Sequence, residues 1–171
     1  MDNDIDVIVE STLWSGFDLV AISNCAFNAV TKKLHLTDVP YELSILACND
    51  ARIALLNAEF RGKPAPTNVL SWPGVDLSSD ITGGRPSPPP LPAHGDPFVN
   101  IGDIAIAYET CLQEANQAGL DPQHHITHLL IHGILHLLGY DHETKADAEL
   151  METLEIDLLM GMGIGNPYKD V

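Results

Sequence analysis

The segment HGILHLLGYDH (132–142) holds three histidines at a spacing that suits one metal ion. His132 and His136 are four residues apart, so their side chains lie on the same face of a helix. Two imidazoles held in this way bind a zinc ion at about 2.0–2.1 Å each. Gly139 allows a sharp change of direction after the helix, which turns His142 back towards the same metal. The spacing therefore predicts one Zn²⁺ held by His132, His136 and His142, in a site that also accepts other divalent metals.

The same segment indicates a catalytic rather than a structural metal site, because three neutral imidazoles leave a fourth tetrahedral position for water. The spacing is that of the long metalloprotease signature H-E-x-x-H-x-x-G-x-x-H, but Gly133 occupies the position of its catalytic glutamate. Peptide hydrolysis with that general base is therefore not supported. Zinc alone still lowers the pKa of bound water towards about 7. A phosphodiester needs a base less than it needs charge stabilisation, which a guanidinium near the metal supplies.

A longer ladder of histidines leads into the metal ligands, because His124 and His128 precede His132 at four-residue intervals. His128 lies one turn before the first ligand, where it either contacts a ligand or the substrate or belongs to a polar face of the helix. Asp141 either orients a ligand or shapes the turn before His142. The remaining histidines are expected on the surface, and they are His35, His94, His124 and His125.

The length and composition, with 45% hydrophobic and 19% charged residues, predict one domain over residues 1–171, and the histidine segment makes a metal-dependent hydrolase the expected class. The net charge of −16 argues against a broad basic surface for nucleic acid, and we expect no binding of DNA. An anionic polymer would have to be bound by a local patch. Three of the eight basic residues, Arg52, Arg61 and Lys63, fall within one short stretch and are expected to form such a basic lip.

Three features indicate a cytoplasmic protein. Cys25, Cys48 and Cys111 are odd in number and far apart, so we expect reduced thiols in the core rather than disulfides. The opening residues, MDNDIDVIVE, are acidic and lack the apolar segment and cleavage site of a signal peptide. No run approaches the roughly 18 apolar residues that a membrane span needs, so no membrane is expected as a partner.

The hydrophobic patterns predict an α+β fold, in which a small, mostly four-stranded sheet packs against about five helices, one of them a zincin-like metal helix. The predicted strands, whose order is left open, are 5–10, 41–48, 67–72 and 101–109. The predicted helices are 16–31, 51–60, the segment that Gly119 ends, 121–139 and 143–160. Asn49 or Asp50 caps the second helix, and Gly62 ends it. Residues 73–97 are dense in Pro, Gly and Ser and are expected to form a flexible loop.

Three blocks of the sequence carry a resemblance to one family. They are HGILHLLGYDH (132–142), FRGKPAPTNVLSWP (60–73) and IGDIAIA (101–107), and they occur in the family's order. On these blocks the chain resembles the YbeY endoribonucleases, which are also described as rRNA maturation factors. The loop at 73–97 is longer than the family usually has, and the strong acidity is unusual for a protein that meets RNA.

The resemblance implies a metal-dependent endoribonuclease, specific for single-stranded RNA, that acts in 16S rRNA 3′-end maturation and in ribosome quality control. Its implied partners are rRNA and the ribosome or small-subunit proteins. It also implies that His132, His136 and His142 are the zinc ligands and that Arg61 takes part in catalysis. A cation at the position of Arg61 would also suit the C-terminus of a helix. Whether water or the RNA 2′-hydroxyl attacks the phosphate is left open.

Two other functions stay open on the residues alone. A zinc metalloprotease-like hydrolase shares the histidine spacing, but it needs a base from elsewhere, such as Asp103 or Glu143. A non-catalytic ribosome-assembly factor would use the zinc to brace its C-terminal helices. Metal removal would destabilise such a factor, whereas substitution of Arg61 would leave its function intact.

Overall fold

One four-stranded mixed sheet carries five α-helices in the computed structural model, which describes residues 2–169. The strands are β1 (Asp4–Val9), β2 (Tyr41–Cys48), β3 (Val69–Pro73) and β4 (Val99–Ala107). The helices are α1 (Leu19–Lys33), α2 (Asp50–Arg61), α3 (Tyr108–Gln117), α4 (Pro122–Leu137) and α5 (Lys145–Gly161). The predicted α+β class is confirmed. None of the helices within residues 2–169 has both the length and the apolar content to cross a membrane.

The strands lie in the order β1-β2-β4-β3, with β1, β2 and β4 parallel and β3 antiparallel at one edge. Strand β4 contains a bulge, because its register with β2 passes from Asn100 to Gly102 without pairing Ile101. Gly102 has φ +127°, and a Cβ atom there would lie 2.1 Å from the Trp72 carbonyl oxygen. Only glycine therefore allows β3 to lie this close to β4.

The two faces of the sheet carry cores of different size. The larger core packs α1, α4 and α5 against one face and includes Phe27, Ile45, Ile104, Leu130, Ile134 and Leu159. The smaller core lies under α2 on the other face and consists of Cys48, Ile53, Leu70, Ala105 and Ala107, with Trp72 packed against it. Side chains alternate along a strand, so Leu70 and Trp72 face α2 whereas Ser71 faces α4. Strand β3 therefore borders both faces of the molecule.

The first helix differs in phase from its prediction. A short 3₁₀ helix, Thr12–Gly16, precedes it, and Asp18 then caps α1 by accepting the Ala21 N–H at 3.1 Å. Val20 is 56% exposed and Cys25 is also exposed, because the buried face of α1 is formed by Leu19, Ile22, Ser23, Ala26, Phe27, Val30 and Thr31. The prediction of a core position is thus wrong for Cys25. The other two cysteines are buried as expected, and all three are free thiols.

The proline-rich segment after β3 contains neither helix nor strand between residues 74 and 98. Leu77 is nevertheless buried in the larger core, and its carbonyl accepts the Ser87 N–H at 2.9 Å. The Gly83 N–H donates to Asp147 Oδ1 at 2.7 Å, near the start of α5. These contacts attach the first half of the segment to the rest of the fold, and the flexibility of the whole loop stays a prediction.

Candidate metal centre

Helix α4 carries two of the predicted metal ligands and lies close to its predicted limits. Asp121 caps its first turn by accepting two backbone N–H bonds, at 2.9 and 3.2 Å, and Pro122 occupies the first helical position. Gly139 follows the helix with φ +98°, and a Cβ atom there would lie 2.7 Å from the backbone of Leu77. The site thus requires glycine at this turn, after which the chain returns His142 to the side of α4.

The structure brings the three predicted ligands together. The ring centroids lie 4.6 Å apart for His132 and His136, 5.2 Å for His132 and His142, and 5.0 Å for His136 and His142. Each of the three histidines offers one ring nitrogen, and these three nitrogens all lie within 4.8 Å of one another. This separation suits three nitrogens around a single metal ion.

The hydrogen bonds of two ligand rings leave the metal-binding nitrogens without protons. His132 Nδ1–H donates to Glu155 Oε1 at 2.6 Å, and His136 Nδ1–H donates to the Tyr140 carbonyl at 2.9 Å. Each neutral ring therefore carries its lone pair on Nε2, and the two Nε2 atoms face each other at 3.1 Å. Two lone pairs at this distance repel unless a cation lies between them. The donor set thus fits a metal ion.

The environment keeps His136 neutral. Burial, together with the neighbouring His132 and His142, lowers the pKa of its imidazole to about 4. Metal ligation requires an unprotonated nitrogen, so protons compete weakly for this ligand at neutral pH.

Glu155 of α5 belongs to the candidate site through its contacts and was not found from the sequence. Its side chain is fully buried, and its carboxylate accepts hydrogen bonds from His132 Nδ1 at 2.6 Å and from His128 Nε2 at 2.9 Å. Tyr168, in the C-terminal segment, donates a third hydrogen bond from its hydroxyl. Burial alone would raise the pKa of Glu155, but these hydrogen bonds outweigh it and lower the pKa to about 2.

The buried carboxylate orients a predicted metal ligand. A carboxylate on Nδ1 fixes the tautomer of a metal-binding histidine and makes its Nε2 a stronger ligand. Glu155 does this for His132, and His128 and Tyr168 hold Glu155 in turn. His128 therefore contacts the carboxylate that holds a ligand rather than the ligand itself.

On the opposite side of the histidines, an open cleft of about 450 Å³ contains Arg61. Its walls combine the end of α2, the edge strand β3, the start of the proline-rich segment and the turn after α4. The lining residues are Arg61, Ser71, Pro73, Val75, Asp76, Leu77, Ser78, His136, Gly139, Tyr140, Asp141, His142 and Glu143. The two blocks from distant parts of the sequence thus meet in one cleft.

Comparison with known proteins identifies the family. The family model for endoribonuclease YbeY matches residues 11–163. The chain belongs to the YbeY endoribonuclease family. It is 49% identical over 166 residues to the endoribonuclease YbeY of Dinoroseobacter shibae, a match that covers 96% of this chain and 90% of that protein. It is also 49% identical over 164 residues to a Ruegeria protein with the same name, covering 96% of this chain and 95% of the relative.

A solved structure has the same fold as this YbeY family member. It is the solution structure of TM1509 from Thermotoga maritima, with a TM-score of 0.55 and 21% sequence identity. The match covers 98% of this chain and 96% of the other. At this identity the likeness concerns the fold alone.

Only one of the three residues that were predicted to form a basic lip lines the cleft. Arg61 does so, whereas Arg52 forms an ion pair with Glu10 at 3.4 Å, and Lys63 is not among the lining residues. The nine-residue interval from Arg52 to Arg61 corresponds to two and a half turns of α2, which places their side chains on opposite sides of the helix. The prediction of a three-residue lip is therefore wrong.

Gly133 packs α4 against the sheet. A Cβ atom at this buried position would lie 3.1 Å from Ile104 Cδ1 and 3.5 Å from two further carbons of the same side chain. Position 133 therefore faces β4 and not the cleft. Of the two carboxylates considered as substitutes for the missing glutamate, Glu143 lines the cleft and Asp103 does not.

Two further polar residues have structural contacts. Asp141 Oδ1 accepts the backbone N–H of His142 at 2.7 Å, so it shapes the turn, which was the second of its two expected roles. His125 was expected on the surface, but its side chain is only 11% exposed. Its Nε2 donates to Glu114 at 3.0 Å, and the same carboxylate accepts from Asn68 at 3.0 Å. This network joins α3, α4 and the residue before β3.

Proposed function

We propose that this protein is a zinc-dependent endoribonuclease that cleaves single-stranded RNA, with Zn²⁺ held by His132, His136 and His142. The observation that carries the proposal is the presence of Arg61 in the same cleft as His136 and His142. A guanidinium beside a metal site suits a phosphodiester, because both stabilise negative charge on the phosphate oxygens. The names of the relatives, endoribonuclease YbeY, support the same reaction.

The residues of the chain have separate tasks in this proposal. The bound zinc would supply a polarised water or phosphate oxygen at neutral pH. Arg61 binds the nonbridging phosphate oxygens and stabilises the charge that develops on them. Glu155 keeps His132 in the tautomer that offers Nε2 to the metal. Glu143 is an exposed carboxylate in the cleft, where it can accept a proton from the attacking hydroxyl, whether that is water or the RNA 2′-hydroxyl.

The cellular role is proposed on the family relationship. We assign the protein to 16S rRNA 3′-end maturation and ribosome quality control in the cytoplasm, with the ribosome or small-subunit proteins as partners. The acidic chain, with a net charge of −16, reaches RNA through the cleft rather than through a broad basic face.

Cleavage assays on purified protein test the proposal. Single-stranded RNA should be cut, whereas duplex RNA, single-stranded DNA and an unstructured peptide should stay intact. A chelator and the His136→Ala variant should each abolish cleavage, and zinc should restore it only to the wild type. Cleavage that survives both treatments would show a contaminating nuclease, and cleavage of the peptide would favour the protease-like alternative.

A further inference from the structure

Next to the cleft, the structure presents an aromatic pair made of Phe60 and Trp72. The ring centroids lie 5.4 Å apart, with an angle of 67° between the ring planes. Phe60 is 57% exposed and is the only aromatic residue among the exposed large apolar side chains of residues 2–169. Trp72 is half-buried at the margin of the smaller core. The pair therefore has one ring held by packing and one that extends into solvent.

Phe60 and Trp72 are each adjacent in sequence to residues that line the cleft. Phe60 immediately precedes Arg61 at the end of α2, and Trp72 lies between Ser71 and Pro73 on β3. Neither ring lines the cleft itself: Trp72 faces α2, the helix that carries Arg61, and Phe60 is one helical position from Arg61. A polynucleotide whose phosphate contacts Arg61 would carry its neighbouring nucleotide to this edge.

The charges around the pair disfavour phosphate and leave the base as the group to be bound. Glu59 precedes Phe60 and is exposed, and the exposed Asp103 is the cross-strand neighbour of Trp72. Arg61 follows Phe60 on its other side, so the phosphate is favoured at Arg61 and disfavoured beside the two carboxylates. An uncharged nucleobase meets no such repulsion, and stacking of a base on an aromatic ring contributes to affinity whatever the base is.

The geometry points to a stacking subsite for one unpaired nucleobase of the RNA, formed by Phe60 and supported by Trp72. This inference rests on the proposed function, and it names Phe60 as the group that favours single-stranded RNA over duplex RNA. A base within a duplex is already stacked on both faces, so it offers no face to Phe60. A base next to the scissile phosphate of a single strand can leave its neighbours and stack on the exposed ring.

Steady-state cleavage of short single-stranded RNAs by the zinc-loaded protein tests the subsite. Phe60→Ala should raise the KM by roughly 5- to 100-fold, the range expected for one stacked base, and should leave kcat within about 2-fold. Phe60→Tyr keeps the ring and should retain the wild-type KM. Phe60→Leu keeps much of the apolar volume but loses the ring, so its KM should rise as in Phe60→Ala. Leu55→Ala is the matched control, since Leu55 is 64% exposed on the same helix and does not line the cleft.

Abasic substitution locates the stacked base. In a set of RNAs that each lack one base, the wild type should show a raised KM at one position, and Phe60→Ala should be insensitive to the same substitution. Trp72 gives a second readout, because Trp14 is 1% exposed with its indole N–H bonded to the Cys48 carbonyl. RNA should quench the fluorescence of the wild type and should not quench that of Trp72→Phe.

The possible results separate this inference from the proposed function. An unchanged KM for Phe60→Ala, in a wild type that cleaves RNA, would overturn the subsite and leave the endoribonuclease proposal in place. A wild type that binds RNA without cleaving it would overturn the endoribonuclease proposal. The abasic set, measured by fluorescence, would then still decide for or against the subsite.

Discussion

The histidine cluster has two sides that differ in burial and charge. Behind it, the fully buried Glu155 accepts hydrogen bonds from His128, His132 and Tyr168. In front of it, the cleft holds Arg61 and Glu143, both exposed. The buried side satisfies all of its charges internally, whereas the open side keeps its charges available to a substrate. Changes behind the histidines should therefore alter metal binding, and changes in front should alter cleavage with the metal still bound.

The largest effect is expected from Arg61→Ala, which removes the cation of the open side. Cleavage should fall by about 10²- to 10³-fold, the usual cost of losing one group that stabilises developing charge. Zinc content by mass spectrometry and the thermal midpoint should stay at wild-type values, because Arg61 is exposed. Complementation of a deletion strain by this variant would contradict the catalytic role and favour an assembly factor.

On the buried side, Glu155→Gln should weaken zinc binding by about 10- to 100-fold. His128 and His132 bond different oxygens of the carboxylate, and glutamine replaces one of these oxygens by an NH₂ donor, so the hydrogen bonds that fix the His132 ring cannot all be kept. Competition with a chromogenic chelator measures the affinity. The matched control is Glu152→Gln, because Glu152 lines the adjacent cavity and lies one turn from Glu155. Cleavage at saturating zinc should recover, and a variant that stays inactive there would place Glu155 in the chemistry itself.

Acid should destabilise the metal-free protein through the histidine cluster. The pKa of His136 is 6.5 in its unperturbed state and about 4 in the fold, mainly because of burial. Below pH 6.5 the unfolded chain therefore binds a proton that the folded chain does not, so the free energy of unfolding falls as pH falls. With partial exposure of the ring we expect a loss on the order of 2 kcal/mol between pH 7 and pH 4.5.

Urea denaturation of chelator-treated protein checks this pH dependence. His136→Ala should flatten the curve between pH 7 and pH 4.5. Glu155 lowers the free energy of unfolding further on acidification, but only below pH 4.5, because its pKa is lowered from 4.5 to about 2. A stability that rises on acidification over the upper interval would show that burial does not control His136.

The smallest effect is expected for Tyr168→Phe, which removes one of the three hydrogen bonds to Glu155. Tyr168 bonds the carboxylate and not the ligand ring itself, and His128 and His132 keep the carboxylate paired. Zinc affinity should therefore fall by only a few-fold, less than for Glu155→Gln. A loss as large as that of Glu155→Gln would show that the C-terminal segment, and not α4, holds the carboxylate in place.

The predictable part of the site is the part that lies in one helix and its turn. His132 and His136 follow from the four-residue interval, and Asp121 and Gly139 mark the limits of α4 through capping and turn chemistry. The position of Arg61 beside them followed only from the family resemblance. No spacing rule joins residues on two elements that the fold brings together.

Glu155 lies among many acids of α5, a composition that usually indicates a solvated helix face. Its helical phase carried a signal, since Met151, Glu155 and Leu158 are all buried on α5 at intervals of four and three residues. A glutamate within an apolar stripe indicates a buried partner. Which partner it meets depends on the packing of α5 against α4, and Tyr168 lies outside any helix or strand. Those contacts could not be derived from periodicity.

The contact between Gly133 and Ile104 restricts how this fold can change its chemistry during evolution. A single substitution of Gly133 by glutamate would complete the protease signature in sequence, yet it would place a carboxylate against an isoleucine of β4. The substitution is therefore coupled to position 104 and to the spacing of α4 from the sheet. Acquisition of the protease motif would therefore require a change of packing between α4 and β4, at position 104 or in the helix itself, as well as the change of residue.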